Sequence, residues 1–312
     1  MTSPVPLDAQ PLVSVLIRSM DRPSLDNALA SVAAQTWGNI EVVVVNAKGV
    51  GHRALPSLCG RFPLRFIDSA TPRPRSEAAN VALDSAAGAF LLFLDDDDLL
   101  DAGHISTLAQ ALSAASPDIP VAYTGIRCTD EEGQVLEQTY ATPFSRIQLF
   151  AGNYIPIHAA LFRQTVLSQG VRIDTALAVY EDWDFWLQIA QLGDFVFVDG
   201  ISATYCISSA AGFGVNYDER AKQAAAALIR RWLPRCADAD LLAIMASVGG
   251  EVQHQAELTA LQARTHAQLL EADAQLVTAD QQLRQCMAEL QIIRQSNAWK
   301  FIQKLRKIRD AF

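Results

Sequence analysis

The sequence is short of several things, and each shortage removes a class of function. Long apolar runs are missing: the longest, Ala86 to Leu94, falls far below the roughly 18 residues a membrane-spanning helix requires. Positive charge is in deficit, with 25 Lys and Arg against 34 Asp and Glu and a formal net charge of -9, which excludes a general nucleic-acid binder. The opening MTSPVPLDAQ has no basic region leading into an apolar stretch, so no signal peptide is expected. Cysteine is sparse. Cys59, Cys128, Cys206, Cys236 and Cys286 are scattered, odd in number and form no C-x-x-C pair, so a reduced, cytosolic chain is the simplest reading. No glycine-rich, basic triphosphate loop stands near the N-terminus, which speaks against a nucleotidyltransferase.

What is present is ample material for a core. The 312 residues are 50% hydrophobic and 19% charged, enough for one large α/β domain with an appendage or for two small domains. The first half alternates short β-branched runs with helical patterns. Leu12 to Arg18 reads as a strand, Pro23 to Gln35 as a helix with Pro in its first turn, and Glu41 to Asn46 as a second strand. Strand Leu64 to Asp68, helix Ser76 to Ala87 and strand Phe90 to Asp95 follow, then a helix opening near Asp101, a good N-cap. This alternation implies a mostly parallel sheet covered on both faces, and in such sheets ligands bind beyond the carboxyl ends of the strands. Between Val121 and about Ile207 the expected elements are strands at Val121 to Cys128 and Ile157 to Phe162, a helix over Trp183 to Leu192, and strands at Phe195 to Val198 and Ala203 to Ile207.

Beyond Asn216 the chain turns helical. Residues 251–295 are rich in Gln, Ala, Leu and Glu, and neither Pro nor Gly follows Gly250. Leu269, Leu276, Leu283 and Leu290 recur at seven-residue spacing, each followed three residues later by Ala272, Ala279, Cys286 or Ile293. That pattern fits either a coiled-coil seam or a long amphipathic helix folded back on the domain. The last stretch, Trp299 to Phe312, sets Lys300, Lys304, Arg306, Lys307 and Arg309 against Asp310 alone, with Phe301, Ile302, Leu305 and Ile308 on one helical face. It suits a helix lying on an anionic membrane or docking on a partner subunit.

The sharpest local feature is Phe93-Leu94-Asp95-Asp96-Asp97-Asp98, an apolar strand ending in four carboxylates. Alternate residues of an extended chain face the same way, so Asp95 and Asp97 can converge. Like charges about 4 Å apart repel by about 4 kcal/mol at an effective dielectric near 20, so the cluster calls for a cation. Carboxylate ligation favours Mg²⁺ or Mn²⁺, which keep positions open for substrate phosphates. The plainer reading is a solvated acidic loop; placement at a strand's carboxyl end tips the balance toward a metal–diphosphate site. A second group, Tyr180-Glu181-Asp182-Trp183-Asp184-Phe185-Trp186-Leu187, opens a helix whose Trp183, Trp186, Leu187 and Ala190 share a face, with Trp186 read as core. Carboxylates in the first turn are stabilised by the helix dipole, and one of them can serve as a general base toward an acceptor hydroxyl.

Taken together these residues resemble the inverting nucleotide-sugar glycosyltransferases of family 2, which have the GT-A fold. The resemblance covers about residues 11–210. It rests on Val13-Ser14-Val15-Leu16-Ile17 with Asp21-Arg22-Pro23, on Ser31 to Thr36 and Glu41 to Val45, on Ala79-Asn80-Val81-Ala82-Leu83 and Gly88, and on the two acidic motifs, in that order and spacing. It implies a Rossmann-like mixed sheet with helices on both faces, plus a C-terminal helical extension. The expected organisation is a glycosyltransferase domain over 1–215 (donor half about 1–120, acceptor half about 121–215), a helical linker over 216–250, and a long helix with a basic tail over 251–312.

The resemblance also implies roles. Asp95 and Asp97 match the D-x-D motif that meets the ribose and the divalent metal, Mn²⁺ or Mg²⁺, with Asp96 beside them on the donor side. Asp182 matches the catalytic base. Ser19, Asp21, Asn46 and Asn80 fall where the family lines the nucleotide pocket, and Glu181 and Trp183 are acceptor-side candidates; His158 is read either as an acceptor-side residue or as a buried, hydrogen-bonded histidine. Several positions depart from the family. Arg18-Ser19-Met20-Asp21-Arg22 stands for the usual Pro-Thr-Tyr-Asn-Arg, and Asn46-Ala47-Lys48-Gly49 for the base-reading Asp-Asp-Gly-Ser. Asn46 still offers a donor and an acceptor to a base edge, while the usual uridine preference is left open. Ala79 replaces an Arg, for which Arg73 or Arg75 can stand in, and Cys206 follows Tyr205 where a late His is common. His104 needs no role, and Ala210 to Gly214 reads as a lid or as a connector.

The function implied is a metal-dependent inverting glycosyltransferase moving a sugar from a nucleoside-diphosphate sugar to a hydroxyl of a glycan or lipid-linked acceptor. Cell-surface polysaccharide synthesis is the expected setting, since the Ser296 to Trp299 start of the tail resembles bacterial enzymes of that kind. The expected location is cytoplasmic, with peripheral contact to the inner membrane through the tail and a homodimer through the C-terminal helix. The alternative is a GT-A-like scaffold without turnover in a polysaccharide-assembly complex.

Overall fold

In a computed structural model, which describes residues 10–207, 219–295 and 297–309, the apolar runs of the first half form the strands of one sheet. The described strands are β1 (Val13–Ser19), β2 (Ile40–Asn46), β3 (Leu58–Cys59), β4 (Phe62–Ile67), β5 (Phe90–Asp95), β6 (Leu99–Leu100), β7 (Val121–Thr129), β8 (Val135–Tyr140), β9 (Ala160–Arg163) and β10 (Phe195–Cys206). Their order is β3-β4-β2-β1-β5-β9-β7-β10-β6, with β8 paired to β7. β1, β2, β4 and β5 run parallel, whereas β9 is antiparallel to β5 and β7, so strand direction changes at the middle of the sheet. The helices are α1 (Leu25–Ala33), α2 (Arg75–Ser85), α3 (His104–Ala114), α4 (Arg146–Ala151), α5 (Thr165–Ser168), α6 (Glu181–Ala190), α7 (Glu219–Trp232), α8 (Asp238–Gln295) and α9 (Asn297–Arg309).

Burial explains why the central strands read as continuous apolar runs: every residue of β1 is buried, as a strand covered on both faces must be. One face carries Val13, Val15, Ile17, Leu92 and Leu94 against Leu25, Ala28 and Val32 of α1 and Ile105, Leu108 and Leu112 of α3. The opposite face carries Phe93, which meets Phe162 and, edge to face, Phe185 of α6. This is the expected mixed sheet with helices on both faces and a C-terminal helical extension.

Register decides where chemistry can sit. Ile17 pairs with Leu94 and Arg18 with Asp95 across β1 and β5, while Ser19 pairs with Asn46 across β1 and β2. Ser19, Asn46 and Asp95 therefore leave the sheet at one carboxyl edge.

Several local expectations are corrected. Asp101 does not cap α3: Gly103 stands there, and the Asp101 side chain instead pairs with Arg127. Ile157 to Ala159 is a single 3₁₀ turn, with the strand beginning at Ala160. The two strands expected around 195–207 are one strand, β10, irregular between Val198 and Ala203. The short elements β3, β6, β8, α4 and α5 carried no periodicity to detect.

The described chain divides into two units, the first ending at Leu241 and the second starting at Leu242. The second holds most of α8, where Leu269, Leu276, Leu283, Leu290 and Ile293 are exposed, and α9, where Phe301, Ile302 and Leu305 are exposed. Among the described residues no helix is long and apolar enough to cross a membrane.

A candidate active site at the carboxyl edge of the sheet

The edge is organised by ion pairs between neighbouring strands. Arg18 is buried at the end of β1, and its Nε donates to Asp95 Oδ1 at 3.0 Å while Nη1 lies 3.4 Å from Glu181 Oε1. Arg75, at the start of α2, closes the square, with Nη2 2.7 Å from Asp95 Oδ2 and Nε 3.0 Å from Glu181 Oε1. Burial opposes ionisation of Asp95, but Arg18 and Arg75 outweigh it and hold the carboxyl well below its ordinary range.

The next three carboxylates alternate. Asp96 and Asp98 turn inward and are buried, while Asp97 stays partly open. Asp96 accepts from the Met20 N–H at 2.7 Å and from Arg22 Nη1 at 2.6 Å. Asp98 accepts from the Cys206 N–H at 3.0 Å and faces His158 Nδ1 at 3.0 Å. Burial of His158 disfavours its protonation, yet Asp98 raises its pKa above the ordinary value. Among the described residues Asp97 has only Arg22, at 3.0 Å, to offset its neighbours. Burial, then Asp98 and Asp95, push its pKa up to about 6.

The loops after β1 and β2 form a wall behind this row. Asn46 is turned inward: its Nδ2 donates to the Gly49 carbonyl at 2.9 Å and to Asp68 Oδ1 at 2.7 Å, and its Oδ1 accepts from the Gly49 N–H at 2.9 Å. The turn needs Gly49, whose φ is +85° and whose added Cβ would lie 2.6 Å from the Pro72 nitrogen. Asp21, also left-handed at φ 59°, accepts from Lys48 Nζ at 2.9 Å, and this bond foremost lowers its pKa. Ser19 Oγ meets His52 Nε2 at 2.9 Å. Arg73 lies in front of this wall, with its Nε buried and without a hydrogen-bond partner.

The second acidic group arrives on α6, preceded by Tyr180 with φ 62°. Asp182 accepts from Asn153 Nδ2 at 2.9 Å and from the Trp183 N–H at 2.8 Å. Burial, then the charge of Glu181, raises its pKa to about 6, with Arg75 opposing. Trp183 is core, its Nε1 donating to the Leu149 carbonyl at 2.6 Å, and Trp186 is likewise buried and bonded to the Ile155 carbonyl.

Two cavities share this edge. One, of about 260 Å³, is lined by Arg18, Arg22, Arg73, Arg75 and Asp95 to Asp97, with Ala47 and Met20. The other, of about 410 Å³, is lined by Asn153, His158, Glu181, Asp182 and Asp98. Arg22, Arg75, Asp95 and Tyr205 line both. The structure thus brings Arg75, Asp95, Asp96, Asp97, His158, Glu181 and Asp182 to one crevice. Ser19, Asp21 and Asn46 sit behind it, and Trp183 sits in the core. Asn80 lines neither cavity: it bonds both ways to Ile173, Nδ2 to the carbonyl at 2.8 Å and Oδ1 to the N–H at 3.1 Å. Residues 210–214, read as a lid or a connector, lie outside the described residues. Arg18, Arg22, Asn153 and Tyr205 join the crevice without having been singled out for a role. Only the strand register, which sets Arg18 beside Asp95, could have flagged the first of them.

Among the described residues no three His, Cys, Asp or Glu side chains group around one point to enclose a cation. The charge balance still leaves a place for one. The cavities present four guanidinium groups against six carboxyl groups, and among the described residues Asp97 has Arg22 alone beside it against Asp95, Asp96 and Asp98. Such an arrangement fits a hard cation held by one protein carboxylate and completed by phosphate oxygens and water.

A model of glycosyl transferase family 2 matches residues 14–170. The uncharacterized glycosyltransferase YwdF of Bacillus subtilis is 24% identical over 186 residues, covering 57% of this chain and 68% of its own. An uncharacterized glycosyltransferase of Haemophilus influenzae is 27% identical over 227 residues, 70% of this chain and 76% of its own. Among solved structures, S. aureus TarS in complex with UDP matches with a TM-score of 0.49 and 19% identity, over 63% of this chain and 61% of that one. A mannosyltransferase from Pyrobaculum calidifontis, in complex with GDP-Man and Mn²⁺, matches with a TM-score of 0.47 and 16% identity, over 78% and 81%.

Proposed function

The chain belongs to glycosyl transferase family 2, and from that premise we propose that it moves a sugar, with inversion, from a nucleoside-diphosphate sugar to a hydroxyl of a glycan or lipid-linked acceptor. The observation that carries the reading is the pair of cavities joined at Arg22, Arg75, Asp95 and Tyr205. One is rich in guanidinium groups and the other holds a carboxylate with a raised pKa.

In this reading the donor's diphosphate lies in the first cavity, against Arg22, Arg73 and Arg75. Asp97, with Asp95 beside it, would hold the divalent cation. A cation there would neutralise charge on the departing diphosphate. Asp182 works from the other side. Its carboxylate takes the acceptor's proton as the hydroxyl oxygen bonds to C1 and the C1–phosphate oxygen bond breaks, leaving the electron pair on the diphosphate. Asn153 and the Trp183 N–H fix the carboxylate's two oxygens, so its orientation is set before the acceptor arrives. A direct displacement of this kind inverts the anomeric centre.

We place this activity in cell-surface polysaccharide synthesis at the cytoplasmic face of the inner membrane, with α9 meeting anionic lipid and the Leu269–Leu290 repeat of α8 meeting a second copy. The deciding experiment is a panel of UDP-, GDP-, dTDP- and CDP-linked sugars tested by calorimetry and turnover, with and without Mn²⁺. At least one donor binds in a Mn²⁺-dependent way, and Asp97→Ala abolishes that dependence. Binding of no donor would leave the scaffold reading instead, and transfer surviving Asp182→Ala would remove the proposed base.

A further inference from the structure

The four residues that open α6 face four ways. Glu181 meets Arg18 and Arg75, Asp182 looks into the crevice, Trp183 enters the core, and Asp184 turns toward α7. Asp184 is 1% exposed, and among the described residues its carboxylate is met from outside its own helix by α7 alone: Trp232 Nε1 donates at 2.8 Å and Arg231 Nη1 at 3.2 Å. Gln188 Nε2, from α6 itself, adds a third bond at 2.8 Å. Arg231 also reaches Asp174 at 2.6 Å, which ties the loop before α6 into the same clamp. α7 is seated for this by Ala221, Ala225, Leu228 and Trp232, all buried.

The first turn of α6 needs such an anchor. Its N-cap position is Tyr180, which is left-handed and makes no side-chain capping bond, and the Trp183 N–H in the first turn is met by Asp182 itself. A helix start whose N-cap side chain makes no capping bond frays more readily, and here it carries the carboxylate proposed as the base. Residues two apart on a helix point about 200° away from each other, so a bond at Asp184 anchors the turn from the side opposite Asp182. A buried carboxylate that loses its donors is driven toward water and drags its turn with it.

We propose that Trp232, seconded by Arg231, is a positioning residue for the transfer reaction: by holding Asp184 it fixes the first turn of α6 and the aim of Asp182. The inference rests on Asp182 as the base. It makes the chain beyond β10 part of the working site, through residues 47 and 48 positions from Asp184.

The test follows the Asp182 carboxyl by carbon-13 NMR in the full chain, with Asp182→Asn identifying its signal. Around it stand Glu181, Arg75, Arg18, Asn153 and Tyr205, none of which the variants alter. In the unaltered chain the group is expected to titrate at about 6, raised by burial and then by Glu181. Trp232→Phe keeps the ring and removes the donor. The expected result is a fall of about one unit or more toward the ordinary aspartate value as water reaches the loosened turn, with a smaller fall in Arg231→Ala. Near-UV circular dichroism reports whether Trp232→Phe folds. If it folds, an unchanged Asp182 titration overturns the proposal; if it does not, an unchanged titration in Arg231→Ala overturns it. Failure of the base itself reads out separately, as sugar transfer that persists in Asp182→Asn.

Discussion

Asp182 is buried among groups of both signs, and the balance leaves it half-ionised at about pH 6 rather than at the ordinary aspartate value. A base must be deprotonated to act, and a raised pKa means that more of the population is protonated just below neutrality. On the proposed role of Asp182 as base, kcat/KM is expected to rise with pH through about 6 and then level, since that parameter follows the free enzyme. Arg75 favours the ionised form, so Arg75→Met moves this acid limb to higher pH; a limb that moves lower contradicts the assigned contact. Asp182→Asn is expected to reduce kcat by about 10²–10⁴-fold, the usual range for a lost general base, while donor binding persists. The acidic residues were legible because four in a row at a strand end need opposite charge nearby, which Arg18, Arg22, Arg75 and His158 supply. Arg18 was not, because a lone Arg ending an apolar strand shows its value only when register sets Asp95 beside it.

Elements show the same division. β5 has its expected bounds because apolar residues run unbroken to the first carboxylate, while Asp101 misled because a side chain suited to capping found Arg127 instead. Asn80 is the instructive residue: its place in α2 resembles a pocket position, yet the helix turns it to Ile173, where it ties α2 to the loop before α6. Asn80→Ala is expected to cost about 1–2 kcal/mol in urea unfolding, for two lost bonds to a part-buried amide, with nucleotide affinity unchanged in calorimetry. A large loss of affinity with full stability would return Asn80 to the pocket. For α9, vesicle co-sedimentation of the full chain is expected to show binding to anionic but not to neutral lipid, weakening as salt rises.

At the scale of the molecule, the heptad repeat predicts self-association. The exposed leucines of α8 recur every seven residues, and Glu289 and Arg294 occupy flanking positions where opposite charges attract across a parallel pair. Sedimentation is expected to show a dimer that Leu276→Glu with Leu283→Glu converts to monomer, and oxidation is expected to join Cys286 to its own copy. A parent chain that sediments as a monomer excludes this assembly. What the sequence alone could not disclose at this scale is the tie between Asp184 and Trp232: neither residue's periodicity reveals a partner 48 positions away.

The two cavities also draw on different stretches of the chain. Apart from Tyr205 and Cys206, the first is built from residues 18–97, while most of the second comes from 140–182. One crossover between β6 and β7 would therefore exchange most of the second cavity's lining and, in the first, Tyr205 and Cys206 alone. On the proposed assignment of donor and acceptor sides, a gene so arranged would take a new acceptor half by recombination while keeping its donor half, provided that Arg22, Arg75 and Asp95 still meet the incoming half at the joint.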